Sequence, residues 1–98
     1  MKLIALYKQP ADPEAFNLAY FDSHLPLIKK VPGLLKVHAS IQNRTLLGEK
    51  GPYMIAEMSF ADKATLIAGL NSSEMAAAGE NLDSFAEGQY TLMMADEH

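Results

Sequence analysis

The segment YKQPADPEAFNLAYFDSHLPLIKKVPGL, residues 7–34, decides the fold. It predicts the end of a strand, a helix with one histidine, and a Pro-Gly turn into a second strand. Asp12 predicts the helix start because its side chain can accept hydrogen bonds from the free amides of the first turn, and Pro13 has a φ that suits the first helical position. Pro26 has no amide to donate, so we expect a kink or an early end near residues 23–24.

One face of this predicted helix is apolar except for a single imidazole. Helical spacing places the following residues on that face: Phe16, Tyr20, His24, Leu27 and Ile28. A lone histidine in such a setting is either a core residue satisfied by backbone groups or the polar centre of a pocket. The predicted function depends on which of these two roles His24 has.

The rest of the chain alternates between strand and helix patterns. Apolar or alternating runs predict four strands, at residues 2–8, 34–43, 53–60 and 89–95. Capped helical patterns predict two further helices, at residues 63–70 and 74–86. The order β-α-β-β-α-β predicts a ferredoxin-like α+β fold, with a four-stranded antiparallel sheet and helices at about 13–29 and 63–86 on one face. The length of 98 residues suits a single domain, 1–98.

The second face of the predicted sheet has no helix to cover it. The hydrophobic content of 49 % is high for so short a chain, and Tyr53 and Ile55 would be exposed on this face of a monomer. Exposed apolar faces are typical of interfaces, so we predict a homodimer through this face. We assign His38 to the same interface, together with Glu57, whose carboxylate we expect to pair with a Lys or Arg of the partner. The alternative for Glu57 is a general base.

Composition excludes several classes of function. The formal net charge of −4 and the scattered basic residues argue against nucleic-acid binding, which needs a clustered basic surface. The chain has no cysteine, which excludes disulfides, thiolate metal sites and a catalytic thiol. No apolar run approaches the length of a signal-peptide core or a membrane span, so we expect a cytoplasmic protein with no membrane partner. Because no potential ligands have clear metal-binding spacing, we predict no metal and no cofactor.

Several segments of the chain resemble the EthD family, which was named for ethyl tert-butyl ether degradation and belongs to the dimeric α+β-barrel proteins. These segments are, in chain order, YKQPADPEAF, HLPLIKKVPGL, AEMSFAD, NSSEM with NLDSFA, and TLMMADE. The resemblance covers nearly the whole chain. It implies a homodimer whose two sheets form a barrel, and a pocket between helices and sheet in each protomer. Related proteins include small-molecule isomerases, monooxygenases, and polyketide-tailoring cyclases or decarboxylases.

Three positions depart from the family pattern. Gln9 stands where an Arg often follows the Tyr-Lys pair, Ser73 replaces a frequent Pro, and Val37 stands where many relatives have an aromatic residue. Changes at Gln9 and Val37 would alter the lining or the mouth of a pocket. We therefore carry no substrate over from the family.

His24 is the candidate catalytic residue. It heads the His-Leu-Pro-Leu segment of the family pattern, and an imidazole with a pKa near 6.5 exchanges protons at cytoplasmic pH. The alternative is a structural histidine that satisfies a backbone group or bridges the dimer. The candidate ligand-binding residues are Tyr20, Tyr7, Phe16, Val37 and Met58. For the tyrosines, the alternative is an aromatic core residue whose hydroxyl reaches the edge.

These observations lead to one hypothesis about function and two alternatives. We predict a small dimeric protein that binds an apolar, oxygen-bearing small molecule, with proton transfer by His24 in catabolism. The first alternative is a non-catalytic accessory or carrier protein that assists a catabolic oxygenase. The second is a cofactor-free monooxygenase. A closed pocket with a second polar group beside His24 would favour an enzyme, and a pocket without such a group would favour a carrier.

Overall fold

The computed structural model describes residues 1–98 and contains one four-stranded antiparallel sheet, in the order β2-β3-β1-β4. The strands are β1 (Lys2–Tyr7), β2 (Lys36–Ile41), β3 (Met54–Ser59) and β4 (Tyr90–Ala95). The helical elements are α1 (Pro13–Leu18), a π-helical segment (Ala19–His24), α2 (Leu25–Ile28), α3 (Lys63–Leu70) and α4 (Ser73–Ala86). This order confirms the predicted ferredoxin-like α+β fold. No helix in the structure has both the length and the apolar character that a membrane crossing requires.

The helical turns between residues 13 and 28 follow one another without a break. The carboxylate of Asp12 accepts a hydrogen bond from the amide of Ala15 at 3.1 Å, as the capping pattern predicts. Towards the other end, the amide of Leu25 donates to the carbonyl of Tyr20, five residues earlier. The disruption expected from Pro26 therefore takes the form of a π-helical segment, and the helix does not end at residues 23–24.

Local signals also fix the second pair of helices. The Asp62 carboxylate accepts from the amide of Thr65 at 2.8 Å and begins α3, and the Ser72 hydroxyl accepts from the amide of Met75 at 3.1 Å and begins α4. Gly33 has a φ of +83°, and a Cβ at this position would collide with the methyl group of Thr65. The Pro-Gly turn before β2 is thus held tightly against the start of α3.

The strand register assigns each strand residue to one of two faces. In the two central strands, β1 residues Leu3, Ala5 and Tyr7 pair with β3 residues Met58, Ala56 and Met54, and all six are buried beneath the helices. The helices and their connections complete the core with these buried residues: Phe16, Tyr20, Ile28, Val31, Phe60, Leu66, Ala78, Leu82 and Ala86. The core therefore lies between one face of the sheet and the helical layer.

The opposite face of the sheet, here called the free face, has no helix against it. The register places these residues on it: Lys2, Ile4, Leu6, Lys36, His38, Ser40, Ile55, Glu57, Ser59, Thr91, Met93 and Ala95. Lys2 forms ion pairs with Glu57 at 3.3 Å and with Glu97 at 3.0 Å. Glu57, expected to pair with a basic residue of a partner, therefore already has one in its own chain. His38 is exposed and lies directly opposite Glu57.

Tyr53 lies elsewhere than the alternating pattern predicts. It precedes β3, and its hydroxyl donates to the side-chain oxygen of Asn17 on α1 at 2.8 Å. Its ring packs edge-on against Phe16, with centroids 5.8 Å apart. Because the strand begins only at Met54, the alternation does not extend to Tyr53, and its side chain packs on the helix side of the sheet.

Candidate functional site

A small cavity lies between the sheet and the helical layer. Its volume is about 120 Å³, and its walls come from β1, β3, β4, α2, α3 and α4 and from the end of the π-helical segment. The lining residues are almost all apolar: Leu3, Ala5, Tyr7, His24, Ile28, Met58, Leu70, Met75, Ala78, Gly79, Leu82, Tyr90 and Leu92. No carboxylate, ammonium or guanidinium group is among them. An engineered apolar cavity of about 150 Å³ binds benzene, so this cavity suits a molecule of about that size or smaller.

His24 is the titratable residue that reaches this cavity from the helical layer. Only 3 % of it is exposed, and its Nδ1 is fully enclosed with no hydrogen-bond partner. Burial lowers the pKa of His24, and this effect is opposed in smaller part by the Asn81 side chain and the Ala78 carbonyl. The imidazole is therefore neutral at pH 7. The rings of Tyr20 and Phe85 lie beside it, at centroid distances of 5.4 and 6.2 Å.

Tyr7 brings a second polar group to the same cavity. Its side chain is 2 % exposed. The hydroxyls of Tyr53 and Tyr90 donate to Asn17 and Asp83, each at 2.8 Å, whereas the Tyr7 hydroxyl has no hydrogen-bond partner. Burial raises the pKa of Tyr7 far above its usual range, so the phenol remains protonated and able to donate. Burial also raises the pKa of the neighbouring Tyr20, to about 12.

This combination has a defined chemical capacity. A neutral imidazole can accept a proton from a bound molecule and return it, and a protonated phenol can donate a hydrogen bond to an oxygen atom of that molecule. Both groups lie in an environment from which water is largely excluded, where such interactions are stronger than in solvent. The site thus combines one base and one hydrogen-bond donor within an apolar wall.

The structure separates the predicted ligand-binding residues into three groups. Tyr7 and Met58 line the cavity with His24. Tyr20 packs against the His24 ring but does not reach the cavity. Phe16 lines a different cleft, of about 410 Å³, with residues that include Lys8, Gln9 and Phe85, and Val37 lies in β2 opposite Met58, away from the cavity.

Sequence reasoning did not identify the contribution of α4 to this site. Met75, Ala78 and Leu82 share one face of α4 and line the cavity, and Asn81 lies on the same side of the helix, next to the imidazole. The apolar stripe of α4 predicts a core-facing helix, but a stripe does not show that a gap remains beneath it. Asn81 is the one indication of the site that the sequence of α4 offers, because it is an uncharged polar residue directly beside that stripe.

Comparison with known proteins gives matches over the whole fold. The family model described as EthD domain matches residues 8–89. The crystal structure of an EthD family protein from Bacillus halodurans has a TM-score of 0.92 and 37 % sequence identity, covering 99 % of this chain and 97 % of that chain. An uncharacterized 11.0 kDa protein in the thcB-thcC intergenic region of Rhodococcus erythropolis is 28 % identical over 96 residues, which are 98 % of this chain and 93 % of the relative.

A more distant solved structure shares the fold alone. A dimeric ferredoxin-like protein from Jannaschia has a TM-score of 0.70 at 16 % identity, covering 98 % of this chain and 97 % of that chain. The family model spans most of the chain, and the Bacillus protein matches it closely in both sequence and backbone. The chain therefore belongs to the EthD family.

Proposed function

We propose that the protein binds a small, largely apolar molecule with one oxygen atom in the cavity, and that His24 exchanges a proton with that molecule. The observation that carries this proposal is a buried imidazole that lines an apolar cavity and stays neutral because burial lowers its pKa. Titratable groups are costly to bury and are usually found at the surface. A histidine buried in the wall of a cavity is therefore a candidate for work on a ligand.

The size and the walls of the cavity restrict the ligand. A volume of about 120 Å³ accommodates about six heavy atoms without rearrangement, by comparison with the engineered benzene cavity. Charged ligands are disfavoured because no charged side chain lines the walls to offset their desolvation. The hydroxyl of Tyr7 supplies a donor for a carbonyl, ether or hydroxyl oxygen.

The proposed chemistry is proton transfer within one molecule. The neutral imidazole of His24 removes a proton from the carbon next to a carbonyl group while Tyr7 donates a hydrogen bond to the carbonyl oxygen. The imidazolium then returns this proton, or one that it has exchanged with solvent, to the same carbon or to another atom of the ligand, so the number of protons on the ligand is unchanged. A base with a pKa below its usual value is neutral and ready at pH 7.

We also propose that the protein works as a homodimer through the free face. Four apolar residues of this face, Ile4, Leu6, Ile55 and Met93, come from three adjacent strands and have no helix over them. Faces of this kind are typical of subunit interfaces. The relative from Jannaschia with the same fold is described as dimeric, which supports this proposal.

A carrier function without catalysis is the second candidate. It is favoured by the composition of the cavity wall, in which eleven of thirteen residues are hydrophobic. A carrier needs the apolar walls and the hydroxyl of Tyr7 but has no use for an imidazole held neutral by burial. The two candidates therefore differ in what the loss of His24 would do.

Hydrogen exchange of cyclopentanone in D₂O tests the proposal. This ketone has six heavy atoms, and NMR follows the loss of its protons next to the carbonyl. We expect the protein to accelerate this loss, and His24→Ala to reduce the acceleration by at least about 100-fold, as expected for a general base. His98→Ala is the matched control, because this exposed histidine lies beyond the end of β4 and outside the cavity wall, and we expect this variant to accelerate exchange like the unmodified protein.

Two results would contradict the enzyme proposal. If cyclopentanone binds, with shifted resonances of Tyr7 and Met58, but its protons exchange no faster than in buffer, the carrier function is favoured. If the ketone neither binds nor exchanges, the cavity is a packing defect. Circular dichroism of His24→Ala and of the more conservative His24→Gln checks that any loss of exchange does not come from unfolding.

A further inference from the structure

Asn81 lies on the face of α4 that packs against the end of the π-helical segment. Ala78, three residues before it, lines the cavity together with His24. Phe85, four residues further on, has its ring 6.2 Å from the imidazole. Helical residues three and four positions apart are surface neighbours. Asn81 is thus placed beside the imidazole by contacts on both sides of it.

Two buried polar atoms meet at this point without partners. Nδ1 of His24 and Oδ1 of Asn81 are the side-chain polar atoms of the protein that are fully enclosed and have no hydrogen-bond partner. Such atoms are rare in folded proteins, because each one has lost its hydrogen bonds to water without forming any within the protein. The two atoms can be partners for each other, because a protonated Nδ1 is a donor and a side-chain carbonyl oxygen is an acceptor.

We propose that Asn81 positions His24: its Oδ1 accepts a hydrogen bond from Nδ1–H, which leaves Nε2 as the unprotonated nitrogen of the ring. This inference rests on the proposed function, because it assigns the nitrogen that would act on a ligand. Nδ1 is fully enclosed, and His24 lines the cavity; in the proposed arrangement, Nε2 is the nitrogen that acts on a molecule bound there. Without Asn81, the Ala78 carbonyl would be the remaining acceptor beside the ring, and a proton on Nε2 would present a donor where a base is needed.

The use of an amide in place of a carboxylate has a consequence for the pKa of His24. A carboxylate beside the ring would favour the imidazolium and oppose the effect of burial. The other titratable groups around the ring are the phenols of Tyr7 and Tyr90 in the cavity wall and that of Tyr20 beside it, and the parts of β3, α2 and α3 in the wall contribute only apolar side chains. Asn81 therefore fixes the proton on one nitrogen while the ring stays neutral.

Nitrogen-15 NMR of the ligand-free protein at pH 7.5 tests the assignment, because the two nitrogens of a neutral imidazole differ in chemical shift according to which carries the proton. We expect His24 to carry its proton on Nδ1 in the unmodified protein and to shift towards the Nε2–H form in Asn81→Leu. We expect Asn81→Asp to raise the pKa of His24 by at least about one unit, as a neighbouring opposite charge does. Asn71→Leu and Asn71→Asp are matched controls at an exposed asparagine, and they should change neither property.

A His24 that carries its proton on Nε2 in the unmodified protein would overturn the proposal, and so would a tautomer unaffected by Asn81→Leu. If Asn81→Leu does not fold, the tautomer of the unmodified protein and the pKa in Asn81→Asp decide the matter. Because these measurements use no ligand, their outcome is independent of the proposed function. In the cyclopentanone assay, Asn81→Leu should lower the maximal exchange rate at least about tenfold with little change in the half-saturating ketone concentration, since a wrong tautomer impairs catalysis and leaves binding intact.

Discussion

The helix-covered face of the sheet and the free face differ in how their polar groups are satisfied. On the covered face, the His24 imidazole and the Tyr7 side chain are buried in the wall of the cavity. On the free face, Lys2 pairs with both Glu57 and Glu97, and His38 lies exposed opposite Glu57. A protein of 98 residues thus buries polar groups at a cavity, where burial is costly, and forms its ion pairs at the surface, where pairing contributes least.

This contrast indicates that the covered face is the place to look for function and the free face the place to look for assembly. Polar groups buried at a cavity are costly to keep, so we attribute them to ligand chemistry. The apolar residues of the free face have no such chemistry beside them, so we attribute them to contact with a second copy of the chain. Each attribution can be tested by a change confined to one face.

The largest expected effect is on assembly. Ile55→Glu places a carboxylate among the apolar residues of the free face, where a second copy would leave it buried and unpaired. We expect sedimentation at micromolar concentration to find the unmodified protein as a dimer and this variant as a folded monomer, with at least about a 100-fold loss of dimer affinity.

Leu47→Glu is the matched control for this prediction. Leu47 is 93 % exposed and lies between β2 and β3, outside the sheet. The control should still sediment as a dimer. A monomeric unmodified protein, or an Ile55→Glu variant that remains dimeric, would contradict the assignment of the free face.

A smaller effect is expected in the pH dependence of stability. Because burial lowers the pKa of His24, the unfolded chain binds a proton at a pH where the folded protein does not. The free energy of unfolding is then highest above about pH 6.5, the pKa of an unperturbed histidine, and falls as the pH is lowered from there towards the pKa of folded His24. The slope contributed by this one group is at most about 1.4 kcal/mol per pH unit.

Urea unfolding at pH 7.5 and 5.5 measures this effect. His24→Gln removes the titrating group, so the loss of stability between the two pH values should be smaller in the variant than in the unmodified protein. An equal or larger loss in the variant would show that burial of His24 does not lower its pKa. Fluorescence of the tyrosines or circular dichroism can follow the transition, since the chain has no tryptophan.

The sequence predicts the fold more completely than the site, for a physical reason. Capping residues such as Asp12 and Asp62 and the alternation along β3 act locally, and each leaves its mark in a few neighbouring positions. The π-helical segment was foreseen only as a disruption, because Pro26 shows that one hydrogen bond is missing but not how the backbone adapts. The alternating pattern places Tyr53 on the free face, but the strand begins only at Met54, one residue later, so the alternation does not apply to Tyr53.

The cavity depends on contacts between distant parts of the chain. His24 and Tyr7 stand out in the sequence as polar groups in apolar patterns, and the structure brings both to one cavity. Phe16 and Val37 have equally suitable patterns, but the packing of α1 and the position of β2 keep them away from it. The roles of α4 and β4 follow only from how these elements pack against the rest, which no local pattern contains.

The most direct test of the account is an NMR titration of His24 with and without cyclopentanone. We expect a pKa below 6.5 for His24 in the free protein. We also expect added ketone to shift the resonances of His24 and Tyr7 and to leave those of His38 unchanged. A His24 pKa at or above 6.5, together with ring resonances that do not respond to the ketone, would contradict the claim that this histidine is a neutral base in a ligand-binding cavity.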